Sequence, residues 1–263
     1  MTESQIYAKS APMKNMTDII WYETIDSTND QAKRILPELG PATVLAAVRQ
    51  TAGRGQRGNV WKSEPGSNLT FSLVLKFGTG LMTEIAANCQ FVISEAVALG
   101  ITDFLGTENI SARIKWPNDI YVDDRKICGI LIENSICAGH MASSIAGAGL
   151  NLNQKEFPGD IPNPVSLSIL TGKEYDCRKV LGQVMECISG RMEQVYKCPE
   201  SLRGAYLSLM YRKDEKHRYT DCATGQEFCG IIRGISDSAL LQVEMPDGRI
   251  REYAFKEIGY IIA

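Results

Sequence analysis

The 263-residue chain predicts an α/β fold of the α+β type: a mixed, largely antiparallel sheet with helices on one face, followed by a small β-barrel. Three features of the pattern support this prediction. Short apolar strands dominate residues 19–150, residues 177–211 are mostly helical, and turn-separated short strands follow residue 214. We therefore expect a flexible N-terminal arm at 1–17, a large domain at 18–213 and a small domain at 214–263.

The first strands and helices follow from apolar runs and capping residues. Strands are expected at 19–22, 43–48 and 68–77, where β-branched and aromatic residues predominate. The polar run 26–30 offers N-caps for a helix over 31–39. From 83 to 105, small and apolar residues recur at helical spacing without proline, which predicts a long helix packed against the sheet.

The remaining elements complete this architecture. Trp116-Pro117-Asn118 interrupts two strands at 110–115 and 120–122, and a turn at 123–125 leads into a strand at 127–133. The strand at 143–150 contains two interior glycines, which usually mark a close approach to the backbone. Beyond residue 214 the short strands fit a barrel of roughly 45 to 50 residues.

Composition excludes several classes of protein. A net charge of −3 and a pI near 5.6 give no overall attraction to nucleic acid, and no basic tract supports DNA binding. No segment reaches roughly 18 uncharged apolar residues, so we expect a cytoplasmic protein without a membrane span. The eight cysteines form no CxxC pair and are expected to be buried free thiols, and the two histidines give no support for a transition-metal site.

The most informative stretch is Gly53-Arg54-Gly55-Gln56-Arg57-Gly58, closed by Trp61. Glycines let a loop adopt positive φ and approach a ligand closely, and each arginine offers a planar fork to phosphate or carboxylate. This combination favours a loop that binds an anionic, nucleotide-like ligand. The alternative is a solvated surface turn, which is the commoner role of such a hexamer.

Polar groups also collect at other strand ends and loops. Each has an ordinary role when taken alone: hydroxyls as helix caps, an amide at a strand end, a lysine as a solvated turn cation. Their occurrence together, in this order, is much less probable by chance. The segments concerned are Ser27-Thr28-Asn29, Gln50, Lys115 to Asp119, Lys126, and Gly147 to Asn151.

The segments DSTN, QTAGRGQRGNVW, KWPNDIYVDDRKICGILIE and GAGLNLN closely resemble the biotin protein ligases, also called biotin–acetyl-CoA-carboxylase ligases. The resemblance covers roughly Ile19 to Asn153, and the C-terminal segment is similar to the family's SH3-like domain in position and size. Bifunctional members carry a winged helix-turn-helix before the catalytic domain. Since residues 1–17 are too few for one, the chain resembles the monofunctional type, and repressor activity is disfavoured.

The resemblance implies two half-reactions. The biotin carboxylate attacks the α-phosphate of ATP and releases pyrophosphate, and a lysine of a biotin carboxyl carrier protein then attacks the biotinyl-adenylate. Such chemistry requires cations, a Mg²⁺ carboxylate and strict positioning of two anions. Implied catalytic residues are Lys126, ranked first, with Arg54, Asp119 and Lys115. Implied biotin-binding residues are Ser27, Thr28, Asn29, Gln50, Arg54, Gly55, Gln56, Lys126, Gly147 and Gly149.

The nucleotide is expected to contact Arg57, Trp61, Asn118 and Asn151. Trp61 either stacks on adenine or packs on the sheet, and Lys115 either contacts phosphate or pairs with a carboxylate. Asp119 is the candidate for binding Mg²⁺ or orienting the carrier lysine, unless it only caps a turn. Gln56 stands where some members have arginine, which places the loop's charge on Arg54 and Arg57.

Two other functions remain open. A lipoate–protein ligase shares this architecture and adenylation chemistry but does not usually pair GRGQRG with KWPND. A non-catalytic biotin-binding module is the alternative outside enzymes, and the presence of Lys126 and Asp119 argues against it. The resemblance also allows a homodimer formed through the sheet.

Overall fold

The computed structural model describes residues 18–78, 82–159 and 161–262; the predicted arm at 1–17 lies outside them. A seven-stranded mixed sheet forms the centre of the larger part. Its strands are β1 (Asp18–Ile25), β2 (Ala42–Gln50), β3 (Leu69–Lys76), β4 (Arg113–Lys115), β5 (Asp119–Val122), β6 (Arg125–Cys137) and β7 (His140–Leu150). Their order is β1-β2-β3-β7-β6-β5-β4, with β1 and β2 parallel and the other pairs antiparallel. The predicted mixed, largely antiparallel sheet is confirmed.

Five α-helices accompany the strands in the described residues. They are α1 (Thr28–Arg34), α2 (Phe91–Thr107), α3 (Leu167–Thr171), α4 (Cys177–Lys197) and α5 (Pro199–Ser208). The long helical stretch splits because Cys198 has non-helical backbone angles and Pro199 favours the first turn of a new helix. Helix α3 was not predicted; at five residues it is too short to show a periodic pattern.

The helices lie on both faces of the sheet. Helices α2 and α4 share one apolar core with Val44, Ala46 and Leu73, whereas Ala32 of α1 packs with Leu45 on the opposite face. Adjacent strand residues point to opposite faces, so this division is unambiguous. The expectation of helices on one face is therefore wrong for α1. Its short N-terminal turn brings polar side chains onto a sheet face that the longer helices leave uncovered.

The stretch Ala87–Thr107 is the single described helix long and apolar enough, by length and composition, to cross a membrane. It contains Glu95 and Asp103, and 67% of its 18-residue window is buried inside the protein. The same helix packs against α4 along its length, where Gly100 lies against the backbone of Ile188. These contacts are those of a core helix.

The C-terminal segment forms a second, antiparallel sheet. Its strands are β8 (Lys216–Asp221), β9 (Glu227–Ile235), β10 (Leu241–Glu244), β11 (Ile250–Tyr253) and β12 (Ile258–Tyr260). The order is β11-β10-β9-β8-β12, and no ladder between the described edge strands β11 and β12 closes it into a barrel. Buried residues of this sheet, including Tyr219 and Ile232, belong to the same core as α2 and α4. All eight cysteines are free, but only Cys128 is buried and five are exposed, so the expectation of buried thiols is wrong for the others.

Glu95 is a buried carboxylate in this core, 1% exposed, with Oε1 2.6 Å from Nε of Arg203. Burial outweighs Arg203 and raises the pKa of Glu95 from 4.5 to about 7. A raised pKa means that the folded state binds the proton more tightly, so the contribution of Glu95 to stability is fully present below pH 4.5 and is lost as the pH rises through about 7. We expect Glu95→Gln to remove this decline. Urea unfolding at a series of pH values tests it, and parallel curves for both proteins would refute it.

Candidate active site

A cavity of about 840 Å³ lies over the sheet face that carries α1. Its lining brings together the four motif segments and Phe255 of the C-terminal segment. The side chain of Arg57 lies outside the described part of the chain, so its predicted role stays untested. All the other predicted site residues line the cavity: Ser27, Thr28, Asn29, Gln50, Arg54, Gly55, Gln56, Trp61, Lys115, Asn118, Asp119, Lys126, Gly147, Gly149 and Asn151.

One end of the cavity is a hydroxyl and amide cluster at the start of α1. Ser27 is the N-cap of α1, where its Oγ accepts from the backbone N–H of Asp30. Gln50 Oε1 accepts hydrogen bonds from the backbone N–H of Thr28 at 2.8 Å and from its hydroxyl at 3.2 Å. The Ser72 hydroxyl lies 2.7 Å from the Thr28 hydroxyl. These buried polar groups suit a ligand with several donors and acceptors in a small ring.

Asn29 is held rigidly beside this cluster. Its amide nitrogen donates to Leu131 O and to Glu133 Oε2, and its Oδ1 lies 2.6 Å from Ser72 Oγ. A Cβ at Gly147 would stand only 2.2 Å from Asn29 Oδ1. Gly147 therefore makes room for Asn29, and the expected approach of the pocket wall to a ligand at this glycine is replaced by a protein contact. Asn29 orders the cluster through these bonds.

The glycine loop is a folded hairpin over the cavity. Trp61 N donates to Gly53 O at 2.9 Å and Gly55 N donates to Asn59 O at 2.7 Å. Only Gly58, with φ +85°, uses the left-handed region, whereas a Cβ at Gly53 would meet Trp61 O at 2.5 Å. The glycines thus serve close approach more than positive φ.

The indole of Trp61 covers a floor made by two glycines. A Cβ at Gly149 would lie 2.2 Å from the indole, and one at Gly129 would lie 2.9 Å from it. Trp61 Nε1 and Gln56 Oε1 are both buried without a hydrogen-bond partner among the described residues. Since buried polar atoms are nearly always paired, these two atoms mark places where a ligand or water would bind.

Arg54 is tied to two carboxylates. Its Nη1 donates to Asp30 Oδ1 at 2.5 Å, and its Nη2 donates to Glu133 Oε1 at 3.0 Å. Although burial acts to raise the pKa of Glu133, hydrogen bonds from Lys33, Asn29 and Arg54 hold it below its usual value. Arg54 therefore fastens the loop to α1 and β6. To neutralise a ligand anion, as the sequence predicted, it would have to leave these partners.

The hairpins of the KWPND segment pair Lys126 with Asp119. Strands β4 and β5 place Lys115 opposite Asp119, and β5 and β6 place Tyr121 opposite Lys126. A register shift after Ile120 turns the Lys126 side chain towards Asp119, and Nζ lies 2.7 Å from Oδ1. Both side chains are partly exposed at the cavity wall, by 26% for Lys126 and 18% for Asp119. The pair fixes one cation and one carboxylate next to each other.

Lys115 has a different environment. Its Nζ lies 4.6 Å from the ring centroid of Tyr260 and 5.2 Å from that of Tyr121, and no ion pair joins it to any described carboxylate. Burial lowers the pKa of Lys115; Asp119 opposes this shift, while the charges of Lys126 and Arg212 add to it. A half-buried ammonium without a paired carboxylate is an attractive partner for phosphate. The predicted alternative, in which Lys115 pairs with a carboxylate, is not found among the described residues.

The two asparagines assigned to the nucleotide are held by backbone carbonyls. Asn118 donates to Ile130 O at 2.5 Å, and Asn151 donates to Val165 O at 3.1 Å. Each bond orients an amide at the cavity wall.

Comparison with known proteins identifies the family. The signature of the Biotin/lipoate A/B protein ligase family matches residues 21–151. Biotin–[acetyl-CoA-carboxylase] ligase of Paracoccus denitrificans is 33% identical, over 85% of this chain and 93% of that protein. The chain belongs to this family. The bifunctional ligase/repressor BirA of Bacillus subtilis is 31% identical over 90% of this chain and 72% of its own length.

Solved structures of ligases agree. Biotin protein ligase from Aquifex aeolicus, in complex with biotin and ATP, superposes with a TM-score of 0.72 at 27% identity, covering 94% of this chain and 99% of that chain. The resemblance to biotin protein ligases read from the four segments is confirmed. Individual residue roles within the ligase site stay predictions.

Sequence reasoning missed several residues that line the cavity or contact its lining. Gly129, an interior strand glycine, carried the same signal as Gly147 and could have been found. Ser72 and Glu133 sit on strands whose pattern gives no sign of a site, and Phe255 and Tyr260 lie far away in the sequence. Their roles depend on contacts between distant parts of the chain.

The Arg54 contacts predict the behaviour of the loop. Glu133→Gln keeps the size of the side chain but weakens its hold on Arg54, so trypsin should cut after Arg54 about two- to fivefold faster. Biotin with ATP should slow cleavage in the wild type if the loop closes over a ligand. Glu23→Gln, an exposed change on β1, is the control. Peptide mass mapping gives the rates, and identical rates for both variants would refute the role of Glu133.

Proposed function

We propose that the protein attaches biotin to a lysine of a biotin carboxyl carrier protein in an ATP-dependent reaction through biotinyl-5′-AMP. The observation that carries this proposal is the division of one cavity into two chemically different ends. Hydroxyls and amides gather around Thr28, and amine cations gather around Lys115 and Lys126. The relatives named biotin ligases support the choice of biotin.

The length of the cavity suits an acyl chain that joins the two ends. Asn29 meets Leu131 on β6, and Lys126 lies five residues earlier on the same strand. Five residues of extended strand span about 17 Å. A ligand with its ring beside Thr28 would therefore direct its carboxylate towards Lys126 and the nucleotide.

In the first half-reaction, a carboxylate oxygen of biotin forms a bond to the α-phosphorus of ATP, and the bond to the β-phosphate bridging oxygen breaks. Pyrophosphate leaves with that electron pair. Lys126 stabilises the carboxylate and the negative charge on the phosphoryl oxygens, and Lys115 stabilises the polyphosphate. Trp61 and the glycine loop exclude water from the mixed anhydride.

In the second half-reaction, a carrier lysine amine attacks the acyl carbon, an amide forms and AMP leaves. The amine must lose a proton to complete this step. Asp119, at the cavity wall, is the carboxylate in place to orient that amine and accept the proton.

The site could hold Mg²⁺ only together with the phosphates of ATP. The described residues contain no group of three or more His, Cys, Asp or Glu side chains that could hold a metal. Mg²⁺ is commonly bound through one or two carboxylates together with substrate phosphates, so Asp119 would hold an ion that comes with ATP. When bound, the ion neutralises phosphate charge.

We also propose that residues 214–263 form the family's SH3-like domain, as an open sheet, and that the chain acts in the cytoplasm.

Pyrophosphate release tests the first half-reaction. We expect release from MgATP that depends on biotin and is absent with lipoate at the same concentration. The lipoate arm distinguishes the two ligases of this family. Release with lipoate and none with biotin would replace the proposal with lipoate ligation, and release with neither would leave a binding protein.

A further inference from the structure

Lys115 is held between side chains from two separate parts of the protein. Tyr121 belongs to β5 of the large sheet, and Tyr260 belongs to the edge strand β12 of the C-terminal sheet. The Lys115 ammonium lies 4.6 Å from the Tyr260 ring centroid and 5.2 Å from that of Tyr121. A cation at these distances is attracted by the electron-rich face of an aromatic ring.

The ionic partners available to Lys115 are few. Asp119 lies opposite it in the hairpin register but is paired with Lys126. Arg212, the other charged group near it, is a cation bonded to Ile261 O. Ring contacts therefore provide the attraction that holds the ammonium in place, and a side facing the cavity is left for an anion.

The Tyr260 ring is itself fixed. It stacks on Tyr211 at 6.1 Å with an interplanar angle of 30°, and Tyr219 meets it edge-on at 5.4 Å. The Tyr260 hydroxyl is buried and has no hydrogen-bond partner among the described residues. The ring, and not the hydroxyl, is thus the part of this side chain that contacts Lys115 and its neighbours.

Loops between strands of the C-terminal sheet also hold the residue next to Lys115. Trp116 Nε1 donates to Ala239 O at 3.1 Å, and its ring packs edge-on against Phe255 at 6.4 Å. Two consecutive residues of the KWPND segment therefore depend on the C-terminal segment for their position. The sheet contributes to the cation end of the cavity.

We propose that Tyr260 is a positioning residue, whose ring holds the Lys115 ammonium in the cavity ready to bind the polyphosphate of ATP. The proposal rests on the function proposed above. It assigns to the C-terminal sheet a specific part in nucleotide binding: β12 supplies one wall of the Lys115 site. Biotin, bound at the other end near Thr28, is outside the reach of this contact.

The test compares variants of the full chain that keep or remove the ring. Tyr260→Leu should raise the KM for ATP in pyrophosphate release by roughly five- to twentyfold, with the affinity for biotin unchanged. Tyr260→Phe keeps the ring and should restore the wild-type KM. The double variant Tyr260→Leu with Lys115→Met should have the same KM for ATP as Lys115→Met alone, because both changes remove the same interaction.

Two further measurements keep the test decisive. If Tyr260→Leu does not fold, 3,5-difluorophenylalanine at 260 keeps the shape of the ring but withdraws electron density from its face, and KM should rise relative to Tyr260→Phe. Calorimetry on the same samples measures the affinity for ATP and therefore tests the role of Tyr260 without relying on turnover. If the wild-type protein releases no pyrophosphate, that result refutes only the proposed function. Unchanged ATP binding in the Leu or fluorinated protein, or additive effects with Lys115→Met, would overturn the role of Tyr260.

Discussion

Lys126→Ala is expected to reduce biotin-dependent pyrophosphate release by about 10²- to 10³-fold, the usual loss when one charge-stabilising group is removed. Lys126 is the amine at the cavity wall that lies beside the Asp119 carboxylate. Without it, the carboxylate of biotin and the α-phosphate would approach each other with less neutralisation, and Asp119 would add a further negative charge. Single-turnover measurement with saturating biotin and ATP gives the rate directly.

The control for this change is the neighbouring residue. Arg125 is exposed, lies on the same strand and does not line the cavity, so Arg125→Ala removes one cation without affecting the site. We expect it to keep near wild-type rates. Both variants should unfold at nearly the wild-type urea concentration, because partly exposed charges contribute little to stability. Wild-type turnover in folded Lys126→Ala would reject its role.

Gly149→Ala is expected to have the second largest effect. The added methyl group would stand 2.2 Å from the Trp61 indole, a distance that two unbonded carbons do not reach. Trp61 must therefore move away from the sheet and take the end of the glycine loop with it. Overpacking of this kind costs about 1–3 kcal/mol, which corresponds to roughly a 5- to 150-fold loss of affinity for the adenylate. The rate at which biotinyl-adenylate dissociates measures it.

Gly190→Ala is the matched control for the added methyl group. Gly190 lies within α4, and a Cβ there meets nothing within 4 Å. Alanine should stabilise the helix by about 0.4–1 kcal/mol and leave the dissociation rate of the adenylate unchanged. Equal dissociation rates for Gly149→Ala and wild type would show that contact between Trp61 and the glycine floor is not needed to retain the ligand.

Local sequence patterns predicted most of the large sheet. Apolar runs gave β1, β2, β3 and β7 to within a few residues, since strands in a buried sheet need continuous apolar side chains. The residues that the motifs assigned to the site line one cavity, apart from Arg57, whose side chain lies outside the described part of the chain; the interior strand glycines indicated this close approach to the backbone, and the individual roles stay predictions. Gly149 shows the limit of such a pattern: close approach was expected there, but the neighbouring group is the protein's own Trp61.

Contacts between distant residues could not be predicted in this way. The pairing of Arg54 with Glu133 depends on how the loop folds over β6, and nothing in the local pattern of either segment indicates it. The same holds for Lys115 and Tyr260, which meet only because the C-terminal sheet packs against the KWPND hairpin. The face that helix α1 occupies could not be predicted either, because the apolar side of this short helix, which includes Ala32, is too small to give a pattern in the sequence.

The protein is proposed to attach biotin to a carrier lysine in this cavity. The most direct measurement is the intact mass of a biotin carrier domain after incubation with the protein, biotin and MgATP. We expect a mass increase of one biotinyl group, lost when the acceptor lysine of the carrier is replaced by arginine. An unchanged carrier mass, under conditions in which the protein is folded and binds both substrates, would contradict the claim.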